Sequence, residues 1–321
     1  MYAFGKERHK AIHAQGMLGP GADAAFTALT SPEIRQRVRI AHLTNRWRDA
    51  LQQSVGLPLG RFVLHRWAED RMESRYIEAF GLSRHALEEE LGSTALTLHV
   101  DPRKLIRIAV HAPRHLEKRP SSLAFIWDGS WDLRREDLRV GTRYRLISEL
   151  DENRDHLERT ERYKDLMDCI ERGEPWASHQ QGVLLDTPEK ILDYLRVYLH
   201  FLDDMAANGY DPARGKDPIG VAISREGRIL KINRGLHRLA MAQRIGLPSI
   251  PVRVRCVHRI WWDRVTRGAS GVAAMEQVRE ALQQCVPEEA PGPLDEDPPP
   301  ILPDDFWPPV RFRDARPRCS H

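Results

Sequence analysis

The clearest alternation of apolar and polar positions in the chain lies in its last third. There the pattern predicts strands at residues 219–223 and 228–232, a helix over 235–246, and a third strand at 250–255. Gly246 is predicted to end this helix. A glycine at this place, followed shortly by a proline, is typical of a helix C-terminus. This segment therefore predicts a small unit in which a helix joins strands of one sheet.

Helical periodicity dominates the first hundred residues and returns in the middle of the chain. Ser31 is a good capping residue, and Pro32 suits the first helical position. The predicted elements are helices at 31–54, 61–79, 83–91, 158–171 and 187–208, and strands at 96–100 and 122–127. The N-terminal helices carry no recognisable chemistry. They could be packing elements or an oligomer surface, and packing is the simpler interpretation.

Composition sets broad limits. The chain has 321 residues, of which 41% are hydrophobic and 30% charged, as in a globular protein of one or two domains. No apolar run approaches the ~20 residues of a membrane span, so we expect no membrane partner. The formal net charge of +3 is too small to indicate a nucleic-acid partner. The four cysteines are far apart and form no Cys-X-X-Cys pair, which favours a reducing, cytoplasmic environment.

Candidate chemistry is concentrated at Gly235-Leu236-His237-Arg238, where the second strand is expected to meet the helix. A helix N-terminus presents unpaired backbone N–H groups and the positive end of the helix dipole. Gly235 would let an anion approach the backbone, Arg238 could grip phosphate oxygens, and a protonated His237 could add a donor. The alternative is that His237 and Arg238 only cap the helix or pair with a carboxylate, and four residues do not decide between the two.

The wider run of residues around this turn resembles the ParB/sulfiredoxin-like superfamily. The similarity covers Ile219–Val254 and, more loosely, Val100–Leu105, which resembles the segment that often opens this fold. The resemblance implies an α+β protein with a small mixed sheet of the ParB/sulfiredoxin type, which binds a nucleotide. It also implies that Gly235, His237 and Arg238 contact the phosphates.

Two departures from the family pattern argue against some of the family's activities in this chain. Sulfiredoxins carry a cysteine where this chain has Leu236, so sulfinic-acid repair lacks its nucleophile. Many relatives place an aspartate where this chain has Arg234, which weakens a mechanism that needs a carboxylate there. In the partitioning proteins a helix-turn-helix DNA-binding domain follows this fold, whereas here we expect little more than one helix and a proline-rich tail after it.

These observations predict a division of the chain into four parts. They are an irregular segment at 1–30, a helical region at 31–93, a ParB/sulfiredoxin-like domain at 94–268 with a helical insertion at about 150–210, and a helix followed by a proline-rich, disordered tail at 269–321.

A second candidate constellation is Trp127-Asp128-Gly129-Ser130-Trp131-Asp132. Asp128 and Asp132 could hold Mg²⁺ or take a proton from a substrate hydroxyl, and Trp131 could stack on a base or a sugar. The alternative is an ordinary turn in which Asp128 bonds nearby backbone N–H groups and the indoles pack in the core.

Arg253 and Arg255 lie on one face of the predicted last strand, ahead of several aromatic residues. Basic and aromatic side chains in alternation can hold an acidic substrate or single-stranded nucleic acid, although an exposed strand face carries arginines too. His111 and His115 have the spacing of a zinc pair on a helix, but Pro113 between them breaks such a helix, and we predict no metal ligated by protein side chains there.

The sequence thus predicts a nucleotide-binding protein. One hypothesis is a phosphotransferase that uses ATP or another nucleotide with Mg²⁺ and acts on a small hydroxylated substrate, with Asp128 or Asp132 as base or metal ligand. The alternative is a non-catalytic module that binds a nucleotide or DNA. The oligomeric state stays open.

Overall fold

The structure is a computed structural model that describes residues 26, 29–69, 71–110, 123–178, 182–214, 218–232, 234–295 and 298–312. The predicted irregular N-terminal segment, the pair His111 and His115, and the last nine residues lie wholly or largely outside these ranges.

Helices make up the first part of the described chain. They are α1 (Arg35–Leu51), a π-helical turn (Gln52–Gly56), α2 (Leu57–Glu69), α3 (Arg71–Ala79) and α4 (Arg84–Leu91). The predicted caps are confirmed, since the side chains of Ser31 and Ser83 each accept a hydrogen bond from a backbone N–H of the following turn. The first helix does not end near residue 54 as predicted, because the π turn carries it directly into α2.

The large apolar side chains of α1 face solvent, so this helix does not pack on the described chain through them. Leu43, Trp47 and Leu51 are all more than half exposed, whereas the smaller Val38 and Ala41 lie on the half-buried side. The apolar period of a helix locates a stripe but does not say whether the protein core covers it.

Strands form one mixed sheet behind these helices. They are β1 (Thr97–Val100), β2 (Arg107–Ala109), β3 (Ile126–Trp127), β4 (Arg135–Asp137), β7 (Ile219–Ile223), β8 (Ile229–Lys231) and β9 (Ile250–His258). Within the described residues their order is β1–β9–β7–β8–β2–β4, with β3 also paired to β9. Parallel pairs (β7–β9, β2–β8, β3–β9) alternate with antiparallel ones, which confirms a mixed α+β architecture.

The helical insertion runs between β4 and β7. It comprises α5 (Thr142–Glu152), α6 (Glu161–Glu171), the short hairpin β5 (Trp176–Ser178) and β6 (Val183–Leu185), and α7 (Pro188–Asn208). Thr187 caps α7 and Gly209 ends it, as predicted. The hairpin was not predicted, because three-residue strands carry too little alternation to be recognised.

Three further helices complete the fold: α8 (Leu236–Ile245), α9 (Arg259–Thr266) and α10 (Gly271–Leu282). The strand–strand–helix–strand unit predicted at the end of the chain is therefore confirmed, except that β9 runs on to His258. Side chains from the N-terminal helices, the insertion and one face of the sheet share a single hydrophobic cluster. A smaller cluster, which contains Trp127 and Trp131, covers the other face.

The proline-rich tail differs from the predicted disordered segment as far as Phe312. Phe306 and Trp307 pack on Tyr144, with ring centroids 5.4 Å away in each case. Arg311 pairs with Asp151 at 2.8 Å. Proline prevents helix and strand here, yet the aromatic and charged residues between the prolines supply enough contacts to hold the chain against α5. No helix in the described ranges is long and apolar enough to cross a membrane.

Candidate functional site

The Gly235-Leu236-His237-Arg238 turn forms the N-terminus of α8, where it was predicted. Gly235 is the N-cap residue and has a left-handed backbone, with φ of 74°, and no side chain caps the helix. A Cβ atom at Gly235 would come within 2.9 Å of Cγ1 of Ile219. The first residue of β7 therefore packs directly against the turn, and only glycine gives both this conformation and this approach.

His237 is buried in a basic environment. Its ring lies 5.4 Å from that of Tyr198 on α7, and its Nε2 atom has no hydrogen-bond partner. Burial first, and then the charges of Arg143 and Arg162, lower the pKa of His237 to about 3. The imidazole is therefore neutral at physiological pH, contrary to the protonated donor considered from the sequence.

The insertion brings two arginines to the same helix end. Arg143 lies in the first turn of α5 and Arg162 in the first turn of α6, and both act electrostatically on the paired hydroxyls of Tyr194 and Tyr198, which are 3.0 Å apart. The guanidinium of Arg162 lies over the ring of Trp176, and its Nε and Nη2 atoms are buried without a hydrogen-bond partner.

Arg238 and Lys231 lie behind the turn, on the core face of the sheet. The guanidinium of Arg238 is 2% exposed and sits 5.4 Å from the ring centroid of Tyr210. The ammonium of Lys231 is fully buried and bonds the backbone carbonyls of Ile232 and Arg234. Burial, together with the charge of Arg238, lowers the pKa of Lys231 well below its usual value. We call the basic residues Arg143, Arg162, Lys231, His237 and Arg238 the cationic cluster; its permanent positive charges are those of the three arginines, since His237 is neutral.

A groove of about 450 Å³ opens beside the cationic cluster and shares Arg143 with it. One face of α8 forms its wall, through Leu236, Leu239, Ala240 and Gln243. The other lining residues are Thr142, Tyr144 and Arg145 of α5 and, from the strands and the segment before α5, Ile108, Glu136, Asp137, Leu138, Val140 and Gly141. The groove is mainly apolar, and its polar groups are few, as in many small-molecule sites.

Asp132 is not available as a base or metal ligand. It is completely buried, and both of its oxygens accept hydrogen bonds from Arg225, the shortest being 2.7 Å. Burial alone would raise the pKa of Asp132, but the hydrogen bonds from Arg225 outweigh it and hold the pKa below its usual value. His258 also approaches this carboxylate, at 3.7 Å. Asp132 therefore forms an ion pair inside the protein, which neither interpretation of this segment predicted.

Asp128 lies on the surface close to Asp132. Its side chain is 73% exposed, pairs with Arg259 at 3.2 Å and accepts a hydrogen bond from the backbone of Gly129. Asp132 meets Arg225 beyond the end of β7, whereas Gly235 packs on the start of β7, so the two places are about 15 Å apart along the strand. The structure therefore does not bring Asp128 or Asp132 to the cationic cluster.

The residues predicted to contact substrate or nucleic acid make contacts within the folded chain. Arg253 donates to Glu88 of α4 at 2.9 Å, and Arg255 lies 3.9 Å from the other oxygen of the same carboxylate. Trp131 is 1% exposed and stacks on His258. The sequence could not show this, because α4 comes from a distant part of the chain and covers this face of β9. In the described part of the chain no group of three or more potential metal ligands occurs.

Comparisons with protein-family models, curated proteins and solved structures give no match to this chain. The structure thus brings together Gly235, His237 and Arg238 from the sequence analysis and adds Arg143, Arg162 and Lys231. Those three were missed because no motif contains them. The two arginines belong to an insertion that looks, in sequence, like solvated helix.

Proposed function

We propose that the protein binds a phosphorylated small molecule, most simply a nucleotide, with its phosphates at the N-terminus of α8. The observation that carries the proposal is the cationic cluster. A guanidinium donor removed from water costs free energy unless an acceptor compensates it, and the buried Nε and Nη2 atoms of Arg162 have no hydrogen-bond partner among the described residues. The polar atoms of His237 and Arg162 that lack a hydrogen-bond partner supply donors or acceptors to such a ligand.

The backbone supports the same conclusion. The first N–H groups of α8 have no side-chain acceptor at the N-cap, and the helix dipole places partial positive charge at that end. An anion there would be stabilised by the helix and by Arg143, Arg162 and Arg238 together.

The groove supports a ligand with an organic body. A volume of about 450 Å³ lies within the range of about 300–1,000 Å³ typical of small-molecule sites. Because Arg143 belongs to both the groove and the cationic cluster, a ligand can place its phosphates at the cluster and its body along α8. The resemblance of the Gly-X-His-Arg turn to the ParB/sulfiredoxin-like superfamily favours a nucleotide, and ATP with Mg²⁺ is the first ligand to test.

A phosphotransferase is the second candidate, and it requires a carboxylate other than Asp128 and Asp132. Glu136 lines the groove and is therefore the carboxylate to test for this role. DNA binding has less support, because Arg253 and Arg255 are engaged with Glu88. Loss of nucleotide turnover in Glu136→Gln, with nucleotide binding retained, is the result expected of the phosphotransferase.

Nucleotide binding is tested by thermal unfolding with ATP, ADP, CTP and GTP, each with and without Mg²⁺. A ligand at about one hundred times its Kd stabilises the folded chain by ~2.7 kcal/mol, which is easily measured. We expect Arg162→Ala to abolish the shift, because it removes a positively charged donor from the proposed phosphate site. The side chain lies at the edge of the cluster, so the substitution leaves the core intact. Arg159→Ala, an exposed arginine one turn earlier, is the matched control.

Two results would contradict the proposal. One is an equal thermal shift in Arg162→Ala and in the unaltered protein, which would place the nucleotide elsewhere. The other is the absence of any shift with the nucleotides and with inorganic pyrophosphate.

A further inference from the structure

A long apolar stripe faces solvent along the N-terminal helical path. Its seven side chains are between 53% and 76% exposed. They are Ile40, Leu43, Trp47, Leu51, Val55, Leu59 and Phe62. The path is helical without a break from Arg35 to Glu69, so the stripe extends over roughly 33 Å at 1.5 Å per residue. Contiguous exposed apolar surface of this length marks a contact with another apolar phase.

The outward direction of the stripe is a property of the fold. Ile34 is buried and Val38, Ala41 and Asn45 are half-buried, so α1 packs on the protein through small or polar residues. The larger side chains are on the opposite side. This is the reverse of the usual arrangement of a surface helix.

The π turn at Gln52–Gly56 keeps the stripe straight. On a wheel of about 100° per residue, the stripe residues of α1 occupy a sector of about 80°. A π turn inserts about one residue, which rotates everything after it back by about 100°. Leu59 and Phe62 thereby return to the same sector as Ile40 and Leu43, whereas an unbroken α-helix would carry them away from it.

Arginines border the stripe of α1 on both sides. On the same wheel Arg39 and Arg46 lie along one border, and Arg37 and Arg48 along the other, each about 75–105° from the centre of the stripe. None of the four makes a side-chain hydrogen bond or ion pair with any residue in the described ranges. Asp49 is the single acidic residue of α1.

We propose that this stripe lies on the surface of an anionic lipid bilayer. A helix at a membrane surface buries Trp, Leu and Phe among the acyl chains, and its flanking arginines reach up to the lipid phosphates. If a second copy of the chain covered the stripe with its own, the arginines that border one stripe would face those of the other and repel them. Nucleic acid offers no apolar phase to seven such side chains. A helix that lies on a bilayer needs no spanning segment, so this proposal departs from the expectation of no membrane partner, which rested on the lack of a spanning apolar run. The proposal does not depend on nucleotide binding.

The test is co-sedimentation of the full chain with vesicles of phosphatidylcholine alone and of an equimolar mixture with phosphatidylglycerol. We expect binding to the anionic vesicles at low salt, at least tenfold weaker binding to the neutral ones, and weakening by salt. Trp47→Glu should reduce binding to anionic vesicles at least tenfold. Phe80→Glu is the matched control, because Phe80 is 72% exposed but lies off the stripe, and its binding should not change.

Thermal unfolding of Trp47→Glu should match that of the unaltered protein, since the Trp47 side chain is mostly exposed and the substitution removes few contacts with the rest of the protein. The proposal is overturned if neither vesicle binds the protein, or if Trp47→Glu binds anionic vesicles as well as the unaltered protein does. It is equally overturned if the chain is a dimer that Trp47→Glu converts to a monomer while vesicle binding is absent, because the stripe would then be covered by a second copy.

Discussion

The buried histidine of the cationic cluster makes the stability of the protein depend on pH in a calculable way. The folded chain holds the pKa of His237 at about 3, against 6.5 when the side chain is solvated. Below pH 6.5 the unfolded chain therefore binds a proton that the folded chain does not accept until about pH 3. Because the unfolded state binds more protons in this range, stability contributed by His237 is present above pH 6.5 and is lost as the pH falls.

The size of the effect follows from the two pKa values. A difference of one pKa unit corresponds to about 1.4 kcal/mol, so lowering the pH from about 7.5 to about 5 should cost about 2 kcal/mol through His237 alone. In His237→Gln this contribution is absent. Other carboxyl and imidazole groups titrate in both proteins, so the comparison between the two isolates the single side chain.

The assay is urea denaturation of both proteins at the two pH values. We expect the free energy of unfolding to fall by about 2 kcal/mol more in the unaltered protein than in His237→Gln. His99→Gln, which alters an exposed histidine on β1, should retain the full pH dependence. The same fall in the unaltered protein and in His237→Gln would refute the reasoning, since it would mean that His237 is solvated and that the cluster is open to water.

Two further substitutions separate the candidate site from the internal ion pair. Gly235→Ala should destabilise the protein by roughly 2 kcal/mol and weaken the nucleotide-induced thermal shift, because alanine strains the left-handed turn and its Cβ meets Ile219; unchanged stability in urea would contradict this. Asp132→Asn should cost about 3 kcal/mol by leaving Arg225 without its buried carboxylate, yet keep the thermal shift; loss of the shift in a folded variant would return Asp132 to the site.

The elements that the sequence predicts well are those with local determinants. The start and end of α7 follow from Thr187 and Gly209, and the end of α8 from Gly246, because caps act within one turn of the helix. The Gly-X-His-Arg turn was found for the same reason. Its residues are consecutive, and their chemistry depends on a helix N-terminus that the local pattern already predicts.

The parts that escaped prediction depend on residues far apart in the chain. Asp132 resembles a catalytic carboxylate until the fold brings Arg225 onto it. Arg253 resembles an exposed basic residue until α4 supplies Glu88. Hydrophobic periodicity likewise predicted the helix that carries Trp47 but could not show that its large apolar side chains face outward, because burial is decided by what the remainder of the chain covers.

The distribution of charge, more than its total, shapes what this protein can bind. A net charge of +3 argues against a strongly basic surface only if charges of both signs are evenly mixed. Several acidic side chains instead form ion pairs within the fold. Asp132 pairs with Arg225, and Asp151 pairs with Arg154, Arg244 and Arg311. Carboxylates fixed beside their own arginines do little to offset positive charge more than a Debye length away. The border of α1 and the N-terminus of α8 therefore stay locally basic in a nearly neutral chain, as the two proposals of an anionic ligand require.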